Sequence, residues 1–375
     1  MNILITYERL CYMPSLEQDS IALLTDAVNR KASDIHFHPR ENGTAVLFRI
    51  QGDLHFRTHI SRRRAERLIA HFKFISGMDI GEQRRPQNGA LFYSQLSPPH
   101  HLRFSTLPTP YKESLVIRLL PQDNSLSLSE LSLFPQPITL LKKLIHHPYG
   151  LLIFTGPTGS GKTTTLYSLL HELYEKKQPT ILTIEDPIEK RTDKFLQIGV
   201  NPKAGITYAE GLRSSLRHDP DIIMIGEIRD EETAAAAIRA ALTGHLVVST
   251  LHSRDKVGAL FRLQDLGINK LDLKETLLGV VSQRLVRKQC TFCQGTCSIY
   301  CPQYIRGGRT ALFDILANEE LEGALEMLPK INNKHIRNKL PGYLLKGIAL
   351  GYLPMNSWKD GGDQGIETEE MERKR

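Results

Sequence analysis

Apolar residues follow two different rhythms along this chain. In its first third they appear at helical spacing or in short alternating runs. Ile21, Leu24 and Val28 in "EQDSIALLTDAVNR" share one helix face. "DIHFHPRENGTAVLFRIQGDLHF" reads as two strands joined at Asn42-Gly43, a dipeptide suited to a tight hairpin. A basic helix follows in "SRRRAERLIAHFKFISGM", with Leu68, Phe72 and Ile75 on one side. Two further strands, around Leu102–Leu107 and Ser114–Leu120, complete a small α+β domain over residues 1–120. Residues 121–137, "PQDNSLSLSELSLFPQP", are rich in Ser and Pro and form the expected linker.

From Leu151 the rhythm changes. The short β-branched runs "LLIFTG", "TILTIED", "DIIMIG" and "HLVVSTL" alternate with helical stretches. That pattern predicts a parallel sheet with crossover helices, an α/β domain over residues 138–360. Residues 361–375 are polar and charged with a single Ile, and are expected to be disordered.

Composition narrows the class. A chain of 375 residues suits two domains better than one core, and 41% hydrophobic with 24% charged residues is ordinary for a globular protein. The N-terminus lacks a basic start followed by an apolar core, and no apolar run approaches the roughly 18 residues that span a bilayer. A cytoplasmic protein is expected. The formal charge of +7 suits a nucleic acid, an anionic membrane surface or plain solvent, and does not choose among them. Five cysteines, four of them clustered, argue against a disulfide framework.

The chemistry starts at "GPTGSGKT". Gly156, Pro157, Thr158, Gly159, Ser160, Gly161, Lys162 and Thr163 match the phosphate-loop pattern in full, between an apolar run and the helical "TTTLYSLLHEL" that opens at Thr163 and Thr164. Glycines let backbone N–H groups turn toward phosphate oxygens, and a helix N-terminus adds positive potential. Lys162 supplies charge to the β- and γ-phosphates, and the Thr163 hydroxyl reaches magnesium. ATP and Mg²⁺ are the expected ligands.

Hydrolysis also needs acids. "PDIIMIGEIRD" delivers Gly226 where such strands usually present an Asp, and Glu227 comes next. Glu185, Asp186 and Glu189, in "TIEDPIE", are the further candidates; one of them, with Thr163, would help hold magnesium or the attacking water. "TGHLVVSTLHS" ends a further strand at His252, within reach of the γ-phosphate in such a sheet, although a lone histidine is usually structural. Arg213 and Arg217 lie four apart on an expected helix, and Arg229 follows the acid. Each arginine suits a phosphate contact or a salt bridge equally well.

Cys290, Cys293, Cys297 and Cys301 have the spacing C-x2-C-x3-C-x3-C. Four thiolates in a reducing compartment can close a structural zinc site, and four reduced thiols are the alternative.

Taken in order, the phosphate loop, "TIEDPIE", "RHDPDIIMIGEIRD" and "TGHLVVSTLHS" resemble the secretion ATPases of type II secretion and type IV pilus systems. The likeness spans roughly residues 20 to 315 and includes "ASDIHFHPRENG", "FRIQGDL" and "RFSTLPT". It implies a RecA-like P-loop domain behind a small PAS-like α+β domain, with Glu227 as the catalytic acid, Glu185 supporting metal or water, and Arg103 and Arg118 reaching phosphate. "HFKFISGMDIGEQRRPQNGA" and "CTFCQGTCSIYCPQ" resemble the Gram-positive competence-pilus branch. "PQNGA" departs from the relatives' Gln-Asp-Gly-Arg, so no arginine acts from Ala90. The resemblance implies a homo-hexameric motor, peripheral on the inner face of the membrane, that pushes a polytopic platform protein. It would assemble a (pseudo)pilus for DNA uptake, without direct sequence-specific nucleic-acid binding. Type II secretion or an adhesive pilus is the alternative output. A nucleic-acid motor and a non-hydrolysing scaffold are the remaining rivals.

Overall fold

A computed structural model of the chain describes residues 15–50, 52–122, 127–293, 301, 308–331 and 336–357. The tail from Gly361, Cys297 and part of the linker lie outside the described residues. The chain divides into two compact units with the boundary after residue 123.

The first unit is a six-stranded antiparallel sheet with two helices. Its strands are β1 (Asp34–Arg40), β2 (Gly43–Ile50), β3 (Asp53–Ile60), β4 (Gln87–Tyr93), β5 (His100–Thr109) and β6 (Lys112–Pro121), in the spatial order β3-β2-β1-β6-β5-β4. Helix α1 (Leu16–Asn29) begins at a capping box in which Ser15 and Gln18 satisfy each other's backbone N–H groups. Helix α2 (Arg62–Ile75) lays Phe72 between Phe37 and Phe104, with ring centroids 6.2 and 5.8 Å away.

Two strands here escape the sequence reading. β3 and β4 are the edges of the sheet, and much of each strand meets solvent, with Leu54, Phe56 and Phe92 exposed. The hairpin turn also moves by one residue. Arg40 pairs with Gly43, which leaves Glu41 and Asn42 as the turn and puts Gly43 on β2.

The second unit holds the seven-stranded sheet β13-β12-β7-β11-β10-β8-β9. Its strands are β7 (Gly150–Thr155), β8 (Ile181–Glu185), β9 (Leu196–Gly199), β10 (Ile222–Ile225), β11 (Leu246–Leu251), β12 (Leu277–Arg287) and β13 (Arg309–Ala317). All neighbours are parallel except β12 and β13. Helices α3 (Leu128–Leu131), α4 (Pro135–Ile145), α5 (Lys162–Lys177), α6 (Tyr208–Ser215), α7 (Glu231–Leu242), α8 (Lys256–Asp265) and α9 (Lys270–Thr276) follow in chain order.

The continuous apolar runs have a simple cause. Successive strand residues enter two different cores, Leu151, Ile153, Ile223 and Val247 on one face, Leu152, Phe154, Met224 and Val248 on the other. A sheet covered on both faces needs no polar alternation. A charge pair lies inside this unit: Lys256 Nζ meets Asp314 Oδ1 at 2.8 Å and also donates to the Arg337 carbonyl at 3.0 Å. Both side chains are almost fully buried, so the pair fixes where the start of α8 meets β13.

Candidate active site

Four adjacent strands, β7, β11, β10 and β8, end at the same edge of the sheet, and each hands over one expected group. β7 runs into the phosphate loop, β11 into His252, β10 into Gly226 and Glu227, and β8 ends on Glu185. The register explains the alignment: Thr155 pairs with Leu251, and Ile225 pairs with both Ser249 and Ile184. Parallel pairing therefore lines up residues that lie far apart in sequence.

The phosphate loop has an exposed tip, Pro157, Thr158 and Gly159, and a buried return at Ser160. Gly161, in the left-handed region, caps α5. Lys162 is nearly buried, and its Nζ donates to the carbonyls of Gly156 at 2.8 Å and Pro157 at 3.1 Å. Burial holds this ammonium below its ordinary range, while the nearby Glu227 carboxylate pulls the other way. Thr163 and Thr164 occupy the first turn of α5, both half-buried.

Glu227 is held on one side and open on the other. Arg229 Nη2 donates to its Oε1 at 2.5 Å. Its Oε2 is buried and makes no hydrogen bond, with His252 Nε2 3.4 Å away. A carboxylate fixed through one oxygen can accept a proton from water at the other. His252 itself is mostly exposed.

The missing Asp at Gly226 has a steric explanation. A Cβ there would stand 3.1 Å from the Tyr208 hydroxyl and 3.3 Å from the Ile184 carbonyl. A side chain there would be a tight fit against β8 and α6, requiring its neighbours to give by a few tenths of an ångström, and the acid stands one residue further on.

Glu185 sits deeper than the sequence suggests, at 3% exposure. Its Oε1 accepts from Tyr167 at 2.6 Å and Thr183 at 2.8 Å, and the Glu189 N–H faces its Oε2 at 3.5 Å. Gln197 braces the same cluster by donating to the Tyr167 hydroxyl at 2.9 Å and to the Lys190 carbonyl at 2.7 Å. Burial raises the Glu185 pKa above the ordinary carboxylate range; its hydrogen bonds oppose the rise, and the Glu189 charge adds to it.

The arginines divide. Arg103 and Arg118 face each other across β5 and β6, and Arg118 Nε donates to buried Asp34 at 2.9 Å. Arg213 is committed to Glu210 and Glu232, and Arg217 donates to Ser214. The expected common helix face for those two is interrupted, because α6 stops at Ser215 and a tighter 3-10 turn, Leu216–His218, carries Arg217. Tyr167, Gln197, Tyr208 and Gln283 are site neighbours that the sequence reading missed. Each is a polar residue in an apolar or loop context with no local motif.

Cys290, Cys293 and Cys301 converge in the connection between β12 and β13. Cys290 and Cys301 are buried, Cys293 is exposed, and the Cys301 Sγ lies 3.6 Å from Cys290 Sγ and 3.5 Å from Cys293 Sγ. Tetrahedral zinc with bonds of about 2.3 Å separates sulfurs by roughly 3.7 Å, so these three thiols fit that ion. The Cys293 N–H donates to Cys290 Sγ at 3.3 Å.

The family model described as "Type II/IV secretion system protein" matches residues 13–341. Competence protein ComGA of Bacillus subtilis (strain 168) is 46% identical over 347 residues, covering 92% of this chain and 98% of the relative. Type II secretion system protein E of Dickeya dadantii (strain 3937) is 45% identical over 274 residues, which is 73% of this chain and 55% of the relative. The crystal structure of the pilus retraction motor PilT with bound ADP superposes with a TM-score of 0.68 at 25% identity, covering 94% of this chain and 98% of that one. No helix among the described residues is long and apolar enough to cross a membrane.

Burial of Glu185 has a pH signature. Because its folded pKa is raised, the folded state holds the proton more tightly than the unfolded chain. Stability is then lost as pH rises from the ordinary Glu range, about 4.3, through the folded value. Glu185→Gln removes this term, so denaturant unfolding between about pH 4 and 7 should show the variant losing less stability than wild type. Parallel pH curves for the two would contradict the assignment.

Proposed function

We propose a function from one premise: the chain belongs to the type II/IV secretion system protein family. It is an ATPase. The motor reading adds that hydrolysis powers assembly of a competence (pseudo)pilus for DNA uptake. The observation that carries it is the buried Oε2 of Glu227, which makes no hydrogen bond and lies 3.4 Å from His252, just past the end of β10, two strands from the one that feeds the phosphate loop. The likeness along nearly the whole length of ComGA supports the competence output.

In this mechanism Lys162 and the loop N–H groups bind the phosphates of ATP. Thr163 and Glu185 are the proposed magnesium contacts, Glu185 through the oxygen that Tyr167 and Thr183 leave available. Magnesium, when bound, neutralises phosphate charge. Glu227 takes a proton from the attacking water while Arg229 holds it in place, and His252 contacts the γ-phosphate. Arg103 and Arg118 add guanidinium contacts to phosphate oxygens. The working form is a homo-hexamer on the inner face of the membrane, passing its motion to a polytopic platform protein.

A cellular test separates the outputs. The chromosomal gene is replaced by Glu227→Gln, and pili and DNA uptake are scored at normal protein level. Loss of both is expected. Retained uptake would overturn the competence reading, and loss of protein secretion alone would move the chain to a secretion system.

Zinc is the further cofactor we assign, held by Cys290, Cys293 and Cys301, with Cys297 as the fourth ligand by sequence. Its role is structural: it closes a connection with little core of its own. Elemental analysis of protein purified without chelator should find zinc in a one-to-one ratio, and Cys290→Ser should lose it. Metal-free, stably folded wild type would refute the assignment.

A further inference from the structure

β12 carries "SQRLVR", a stretch no phosphate-loop motif includes. Gln283 within it is 1% exposed, an amide buried between Ser282 and Arg284. Its Nε2 donates to the Ser160 carbonyl at 2.7 Å. Its Oε1 is buried with no hydrogen-bond partner, a cost that a space-filling role gives no reason to keep.

Two loop glycines are shaped by the same residue. A Cβ on Gly156, whose φ is +143°, would lie 2.4 Å from the Gln283 backbone oxygen. A Cβ on Gly161, whose φ is +86°, would lie 3.0 Å from Gln283 Nε2. Gln283 therefore touches the loop at both ends, with its main chain at the first glycine and its side chain at the last.

We propose that Gln283 is a positioning residue for the phosphate loop, setting the direction of the Gly161 N–H that binds phosphate. The reason is peptide geometry. The Ser160 carbonyl and the Gly161 N–H belong to one planar trans peptide and point in opposite directions. Holding the carbonyl toward β12 turns the N–H away from it, into the concave side where this motif cradles phosphate. The next residue extends the brace: Arg284 Nη2 donates to the Arg254 carbonyl at 3.1 Å, two residues past His252. Adjacent positions on one strand thus hold the phosphate loop and the histidine loop.

This rests on nucleotide binding at the phosphate loop, so the test carries a control for it. Full-length wild type, Gln283→Leu, Gln283→Glu and Lys162→Ala are compared for affinity toward a fluorescent ADP, for KM and kcat, and for melting temperature with and without Mg-ADP. Gln283→Leu should weaken nucleotide binding about 3- to 10-fold, the worth of one neutral hydrogen bond, and raise KM with kcat little changed. Gln283→Glu, which keeps the shape but turns an acceptor toward a carbonyl, should bind more weakly still. The melting increment given by Mg-ADP should shrink in both. If both bind ADP as wild type does, or if melting falls equally with and without nucleotide, Gln283 is only a core residue and the proposal fails. Should Lys162→Ala bind as well as wild type, the nucleotide reading itself is wrong. Should Gln283→Leu not fold, Gln283→Met, which keeps the length of the side chain and removes only its amide, decides in its place.

Discussion

Parallel strands cannot be joined by a short turn, so β7, β8, β10 and β11 must each be followed by a crossover that begins at one edge of their sheet. That constraint concentrates the chemistry of the second unit. Each strand spends its length buried on both faces and its first free residues at the common edge, where the phosphate loop, Glu185, Glu227 and His252 emerge. No reactive group needs a long loop to reach the site, because the main-chain ladder has already set their order.

Behind that edge lies a second layer of polar contacts. Tyr167, on the helix that the phosphate loop opens, donates to Glu185 at the end of β8. Gln283, on β12, holds Ser160. Thr155, the last residue of β7, bonds Ser253 just past His252 at 2.6 Å between hydroxyl oxygens. These contacts tie the phosphate loop and its helix to the segments that carry Glu185 and His252. Their burial makes each one costly to leave unsatisfied, which favours a few discrete arrangements over gradual deformation.

The phosphate loop, Glu227 and His252 were legible in the sequence because each is the end of a contiguous motif. The absence of an Asp at Gly226 was legible too, but its cause was not. Only the packed strands show how tightly Ile184 and Tyr208 approach that position. The depth of Glu185 was hidden for a similar reason, since Tyr167 is 18 positions upstream. Gln283 lies 123 residues from Ser160, beyond any local pattern. In the first unit the edge strands β3 and β4 were missed although Leu54, Phe56 and Ile60 alternate along β3, because no Asn-Gly dipeptide sets that strand off from β2 and β4 opens on the polar Gln87 and Asn88. For Arg213 the sequence left a phosphate contact and a salt bridge equally open, and the structure shows ion pairs with Glu210 and Glu232.

The most direct measurement is steady-state phosphate release by the purified full-length protein with Mg-ATP, beside Glu227→Gln, with ATP affinity recorded for both. Turnover in wild type, with a loss of about 10²-fold or more in a variant that still binds ATP, is the expected result. Equal turnover in the two would remove Glu227 from the chemistry, and ATP binding without turnover in either would contradict the motor itself.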